Sequence, residues 1–188
     1  MSGISLHAGV SRGAAGWLRS PAVDACDLAA AAAARGFGVQ RVLIDPARDE
    51  FTRELSVAIT HTRRGDTLLI TFSGHAHEEA WCFTDGDLPL RDLCDALDAL
   101  PRRTFVYVVA DACHPEVWRE LPKRSEVMVI APPDGYVRDG LGKNTRSPFT
   151  AALIRAMHES PSLLRVVRAF PAPRRGRPCC DTGARRTR

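Results

Sequence analysis

The sequence predicts an α/β domain built on a mostly parallel central sheet flanked by helices. Three observations carry that reading. Helical and strand patterns alternate along the chain. Two runs, Thr67–Ser73 (TLLITFS) and Thr104–Ala110 (TFVYVVA), are continuously apolar or β-branched, as strands covered on both faces must be. The 188 residues are 45% hydrophobic and 26% charged, an ordinary globular mixture with enough apolar side chain for one core.

Each element has its own local reason. Gly3–Ala8 is a short first strand. Pro21–Arg35 reads as a helix, because Pro opens it, alanines fill it and Gly36 follows. Val39–Ile44 is an apolar strand, and Asp49–Thr62 a helix with Phe51, Leu55 and Ile59 four residues apart. Gly65-Asp66 is turn chemistry before the strand Thr67–Ser73. Pro89–Leu100 is an amphipathic helix, with Leu90, Leu93, Leu97 and Leu100 on one side. After Thr104–Ala110, Val127–Ala131 forms a strand stopped by Pro132-Pro133; Phe149–Met157 and Ser162–Phe170 are helical. Residues 1–170 read as one domain. The arginine-rich remainder, 171–188, has too little apolar content to bury a core and reads as a disordered tail.

Charge and cysteine usage exclude several function classes. The net charge is +4. Six arginines (Arg174, Arg175, Arg177, Arg185, Arg186 and Arg188) against Asp181 put that excess in the tail, so the body is nearly neutral and no nucleic acid partner is expected. No apolar run is long enough to cross a bilayer, and the first residues lack a secretory pattern; no membrane partner and a cytoplasmic location are expected. Cys26, Cys82, Cys94, Cys113, Cys179 and Cys180 form no CxxC pair, so neither a zinc framework nor a disulfide scaffold is indicated.

Two of the buried strands end in reactive residues. TLLITF runs into Ser73-Gly74-His75-Ala76-His77, and TFVYVVA into Asp111-Ala112-Cys113-His114. In open parallel sheets ligands bind outside the carboxyl ends of the strands. If these two strands are parallel neighbours, His75 and Cys113 emerge at one edge, joined by a single crossover through the helix Pro89–Leu100. A Cys–His pair is the arrangement that turns a weakly ionised thiol into a nucleophile.

At these residues the chain resembles the caspase-like cysteine peptidases, metacaspases in particular. GDTLLITFSGHA is similar to their histidine segment and VYVVADACH to their nucleophile segment. PAVDACDL is similar to an early helix that carries an Asp, and MVIAPPDGYVRDG with SPFTAALIRAM to the closing strand, loop and Phe-Thr helix. The resemblance implies a caspase–hemoglobinase three-layer sandwich and a peptidase with Cys113 as nucleophile and His75 as acid/base. The Ala76 and Cys113 backbone N–H groups would be the oxyanion donors. It further implies an acidic pocket made by Asp24 and Asp111, hence cleavage after Arg or Lys, with Asp27 as the substitute one helical turn away. The expected partner is a protein or peptide substrate with a basic residue before the cut, and the tail arginines make the enzyme itself a candidate substrate.

The sequence departs from the family pattern at Ala76, where the family has Gly, and at Pro115-Glu116, where it has Ser-Gly. Two rival readings therefore stand: a catalytically inactive scaffold, and a thiol hydrolase of small amides or esters. No cofactor or metal is expected. His75, His77, Glu78, Glu79 and Cys82 are ligand types without recognisable metal spacing, and Asp85-Gly86-Asp87 reads as a turn or as a fragment of a calcium loop. Trp81, Trp118 and Tyr136 are either cleft or core aromatics. The polar stretch Asp134–Ser147 is either a mobile, cleavable loop or a passive one.

Overall fold

The computed structural model describes residues 2–13, 16–77, 79–113, 127–132, 139–140, 145–160 and 162–170. Its centre is a parallel five-stranded sheet of Gly3–Gly9 (β1), Phe37–Ile44 (β4), Thr67–Ser73 (β5), Phe105–Asp111 (β9) and Val127–Ile130 (β10), in the order β10-β9-β5-β1-β4. The helices are Pro21–Ala34 (α1), Arg48–His61 (α2), Leu90–Asp98 (α3), Pro148–Glu159 (α4) and Leu163–Ala169 (α5). Every long element expected from the sequence is present, with ends shifted by one or two residues. The α/β sandwich is thus observed directly. The proposed tail, 171–188, lies outside the described residues, and no described helix is long and apolar enough to cross a membrane.

Alternation along the strands divides the core into two layers. Leu6, Ala8, Val10, Leu68, Ile70, Phe72, Val106 and Val108 pack with α2 and α3 through Phe51, Leu55, Leu93 and Leu97. Leu69, Tyr107, Val109 and Ile130 face the other way, onto Leu28 and Ala32 of α1, Leu153 and Met157 of α4 and Val166 of α5. Arg35 joins α1 to α4, its guanidinium donating to the carbonyls of Met157 and Ser160 at 2.6 and 2.7 Å.

The sequence reading missed two small antiparallel sheets, and both sit at the carboxyl ends of the strands. One is the hairpin Arg12–Gly13 (β2) and Gly16–Trp17 (β3), which follows β1 directly. Asp45 fixes its start by accepting the Ser11 and Arg12 N–H groups. The other is the three-stranded sheet of Ala76–His77 (β6), Ala80–Cys82 (β7) and Asp87–Pro89 (β8). It is nailed to the core by Trp81, which is fully buried and stacks on Phe72 at 4.4 Å between ring centroids, with Phe51 at its edge. Trp81 is therefore a core aromatic and not a cleft residue. Trp118 and Tyr136 lie outside the described residues.

Candidate active site

The chain runs from β1 to the edge strand β4 and back to β5 on the other side of β1, so connections on opposite faces leave a crevice at the carboxyl ends of these central strands. The register fixes what lies there. β5 and β9 are adjacent and parallel, with Ser73 opposite Asp111, and Gly74 N–H donates to the Asp111 carbonyl at 3.2 Å. His75 and Cys113 each follow these partners by two residues, at the same edge of the sheet. Cys113 is half-buried. His114, Pro115 and Glu116 lie outside the described residues.

His75 sits beneath the β2–β3 hairpin. A Cβ on Gly16, whose φ is +124°, would lie 3.9 Å from the imidazole Nε2. This nitrogen is buried and has no hydrogen-bond partner among the described residues. Burial lowers the imidazole pKa and so favours the neutral ring, while the charge of Asp139 opposes the shift. The next residue, Ala76, faces Trp81 on β7. Because Cys82 N–H donates to the His75 carbonyl at 3.0 Å, Ala76–Trp81 is a non-hydrogen-bonded pair and the Ala76 N–H is not spent on β7.

Asp24 and Asp111 meet on the α1 and α4 side of the sheet, and both are fully buried. Asp24 is brought there by α1, whose first turn crosses the end of β1. A Cβ at Gly9 would come within 2.1 Å of the Pro21 carbonyl oxygen, so only glycine permits the approach. Asp24 accepts from Ser73 Oγ and Ser147 N–H, each at 2.9 Å. Asp111 accepts from Thr150 Oγ1 at 2.7 Å and from Ser147 Oγ, while its Oδ1 has no partner among the described residues. Ser147 also caps α4, its Oγ accepting the Thr150 N–H at 2.9 Å. Burial pushes Asp24 up to about 6, against the hydrogen bonds from Ser147, Ser73 and Ser20. Burial pushes Asp111 up to about 7, and the neighbouring Asp24 charge adds to the rise while Ser147 and Thr150 oppose it. The two expected pocket residues are thus together but roofed by the segment that starts α4.

That roof was not legible as such. Arg146 pairs with Asp27, so the substitute acid is engaged on the rim by the chain's own arginine. Asp139 holds the start of α1, accepting from Arg19 N–H, Ser20 N–H and Gly140 N–H at 2.8–3.0 Å. Burial alone would raise its pKa, but these backbone donors outweigh burial and hold the carboxyl below the ordinary range. Residues 139–140 and 145–147 are therefore tied to α1; the other residues of 133–144 lie outside the described ones.

The Asp85-Gly86-Asp87 turn makes two contacts within the chain. Asp85 accepts the Arg48 N–H at the start of α2 (2.7 Å), and Asp87 contacts His77 Nε2 at 3.0 Å, so the two carboxylates serve different partners.

Comparison with known proteins agrees with this architecture. The sequence profile of the caspase domain matches residues 9–171. A solved structure of a Geobacter sulfurreducens protein superposes with a TM-score of 0.71 at 20% identity, covering 91% of this chain and 90% of that one. No curated protein matches the sequence.

Proposed function

Because the chain belongs to the caspase domain family, a family of cysteine-peptidase type, we propose that it is a cysteine endopeptidase cutting after Arg or Lys. Cys113 attacks the scissile carbonyl after losing its proton to neutral His75. His75 returns that proton to the leaving amine, and water then hydrolyses the thioester, releasing the acid and restoring the thiol. The Ala76 and Cys113 N–H groups receive the oxyanion, each donor contributing a factor of roughly 10²–10³ in rate. Asp24 and Asp111, two carboxylates close together in a buried place, favour a cationic side chain that relieves their mutual repulsion. No metal takes part in these steps, and the reaction occurs in the cytoplasm.

The observation that carries the reading is the β5–β9 register, which gives His75 and Cys113 the same offset from a hydrogen-bonded strand pair. A fluorogenic peptide series ending in Arg, Lys or Asp tests it, assayed with and without calcium. Turnover of the Arg and Lys peptides, lost by at least a thousandfold in Cys113→Ala, is the expected outcome. The closed roof over Asp24 and Asp111 favours one rival, a non-catalytic binding module. Absence of turnover on every peptide would overturn the peptidase reading.

A further inference from the structure

We infer that His77, Cys82 and Asp87 form a binding site for a zinc-type divalent cation on the three-stranded sheet beside the active site. Each strand supplies one ligand: His77 from β6, Cys82 from β7 and Asp87 from β8. Cys82 and Asp87 are directly opposed in the ladder. His77 lies diagonally from Cys82, being the partner of Ala80, so the three side chains share one face. Their ligand atoms all lie within 4.8 Å of one another, and His77 Nε2 stands 3.0 Å from the Asp87 carboxylate. Zinc bonds of about 2.0–2.3 Å set tetrahedral edges of roughly 3.3–3.8 Å, so side-chain adjustments of about 1.5 Å or less bring the three onto one ion.

The donor set selects the class of metal. Thiolate, imidazole and carboxylate together suit zinc and its neighbours, whereas calcium and magnesium require oxygens. Cys82 is nearly fully buried while His77 and Asp87 are exposed, so the sulfur is shielded and the ion has an entry path. His77 and Asp87 also line a groove of ≈ 600 Å³ together with Glu79, Arg91 and Asp95, roomy enough for water or a further carboxylate beside the ligands.

Such an ion would clamp β6, β7 and β8 together. The backbone of Cys82 holds the His75 carbonyl, so the clamp would also stiffen the turn that carries the proposed acid/base. The inference does not depend on peptidase activity. The same ligands would hold the metal in an inactive protein.

The test is titration of chelator-treated full-length protein with Co²⁺, followed by displacement with Zn²⁺. One equivalent should produce thiolate-to-cobalt charge-transfer and tetrahedral ligand-field bands. Both should persist in Cys113→Ala, and Zn²⁺ at a hundredfold excess over its dissociation constant should raise Tm by roughly 5–10 °C. His77→Gln, a surface change that leaves the fold intact, should weaken binding by about a hundredfold or more, and Cys82→Ser should abolish the charge-transfer band. Bands that survive Cys82→Ser, vanish in Cys113→Ala, or never appear would overturn the site and leave His77–Asp87 as a surface hydrogen bond.

Discussion

At the residue scale, the energetics of Asp24 and Asp111 dominate. Two carboxyl groups without solvent contact cannot both ionise at low cost, and burial raises both pKa values, to about 6 and about 7. A raised carboxyl pKa means that the folded state binds protons the unfolded chain has released. The associated stability is complete below about pH 4 and is lost as pH rises through the folded values. Asp111→Asn removes one of these ionisations. The Tm of the wild type should therefore fall relative to that of Asp111→Asn between about pH 4 and pH 7, and parallel Tm curves would contradict the shift. His7 works in the opposite sense. Burial lowers it to about 4, so its share of stability is lost as the pH drops below its unfolded value, and the comparison with the variant cancels it. In the proposed peptidase the same substitution should cut kcat/KM for Arg substrates by roughly 10–100-fold while sparing uncharged ones, since it would delete one of the two carboxylates of the proposed pocket.

At the element scale, the placement of α1 and of the three-stranded sheet decides the site. Gly9→Ala forces a methyl against the Pro21 carbonyl and should cost about 1–3 kcal/mol in urea unfolding, moving Asp24 with the helix. Phe72→Ala removes the ring on which Trp81 stacks and should cost about 3–5 kcal/mol, loosening the strands that follow His75. The long elements were legible because a run such as TLLITFS or a helix with Leu90, Leu93 and Leu97 on one face carries a period. The strands β2, β3, β6, β7 and β8 are two or three residues each, too short to show one. The His77–Cys82–Asp87 cluster was hidden for that reason, since its five-residue spacings acquire meaning only once the strands fold back on one another.

At the scale of the whole molecule, the sheet order collects at one rim what the chain scatters. His75 and Cys113 were legible because each ends a buried strand, and Asp24 and Asp111 through family resemblance. Ser147, Thr150 and Asp139 were not, because their partners lie 36 to 123 residues away and no local pattern announces such contacts. The tail arginines give the proposed peptidase a prediction at this scale. Active full-length protein should lose mass from its C-terminus on incubation, while Cys113→Ala stays intact by mass spectrometry. Cleavage equal in both would assign the trimming to a contaminant.

The seryl roof at the start of α4 has a kinetic consequence. If Asp24 and Asp111 receive a cation, an incoming amidine must wait until Ser147 withdraws, and only the fraction of molecules caught unroofed can accept it. The observed association rate of benzamidine should then level off with concentration at the opening frequency of that one turn. A rate climbing in proportion to concentration would mean that the door stands open.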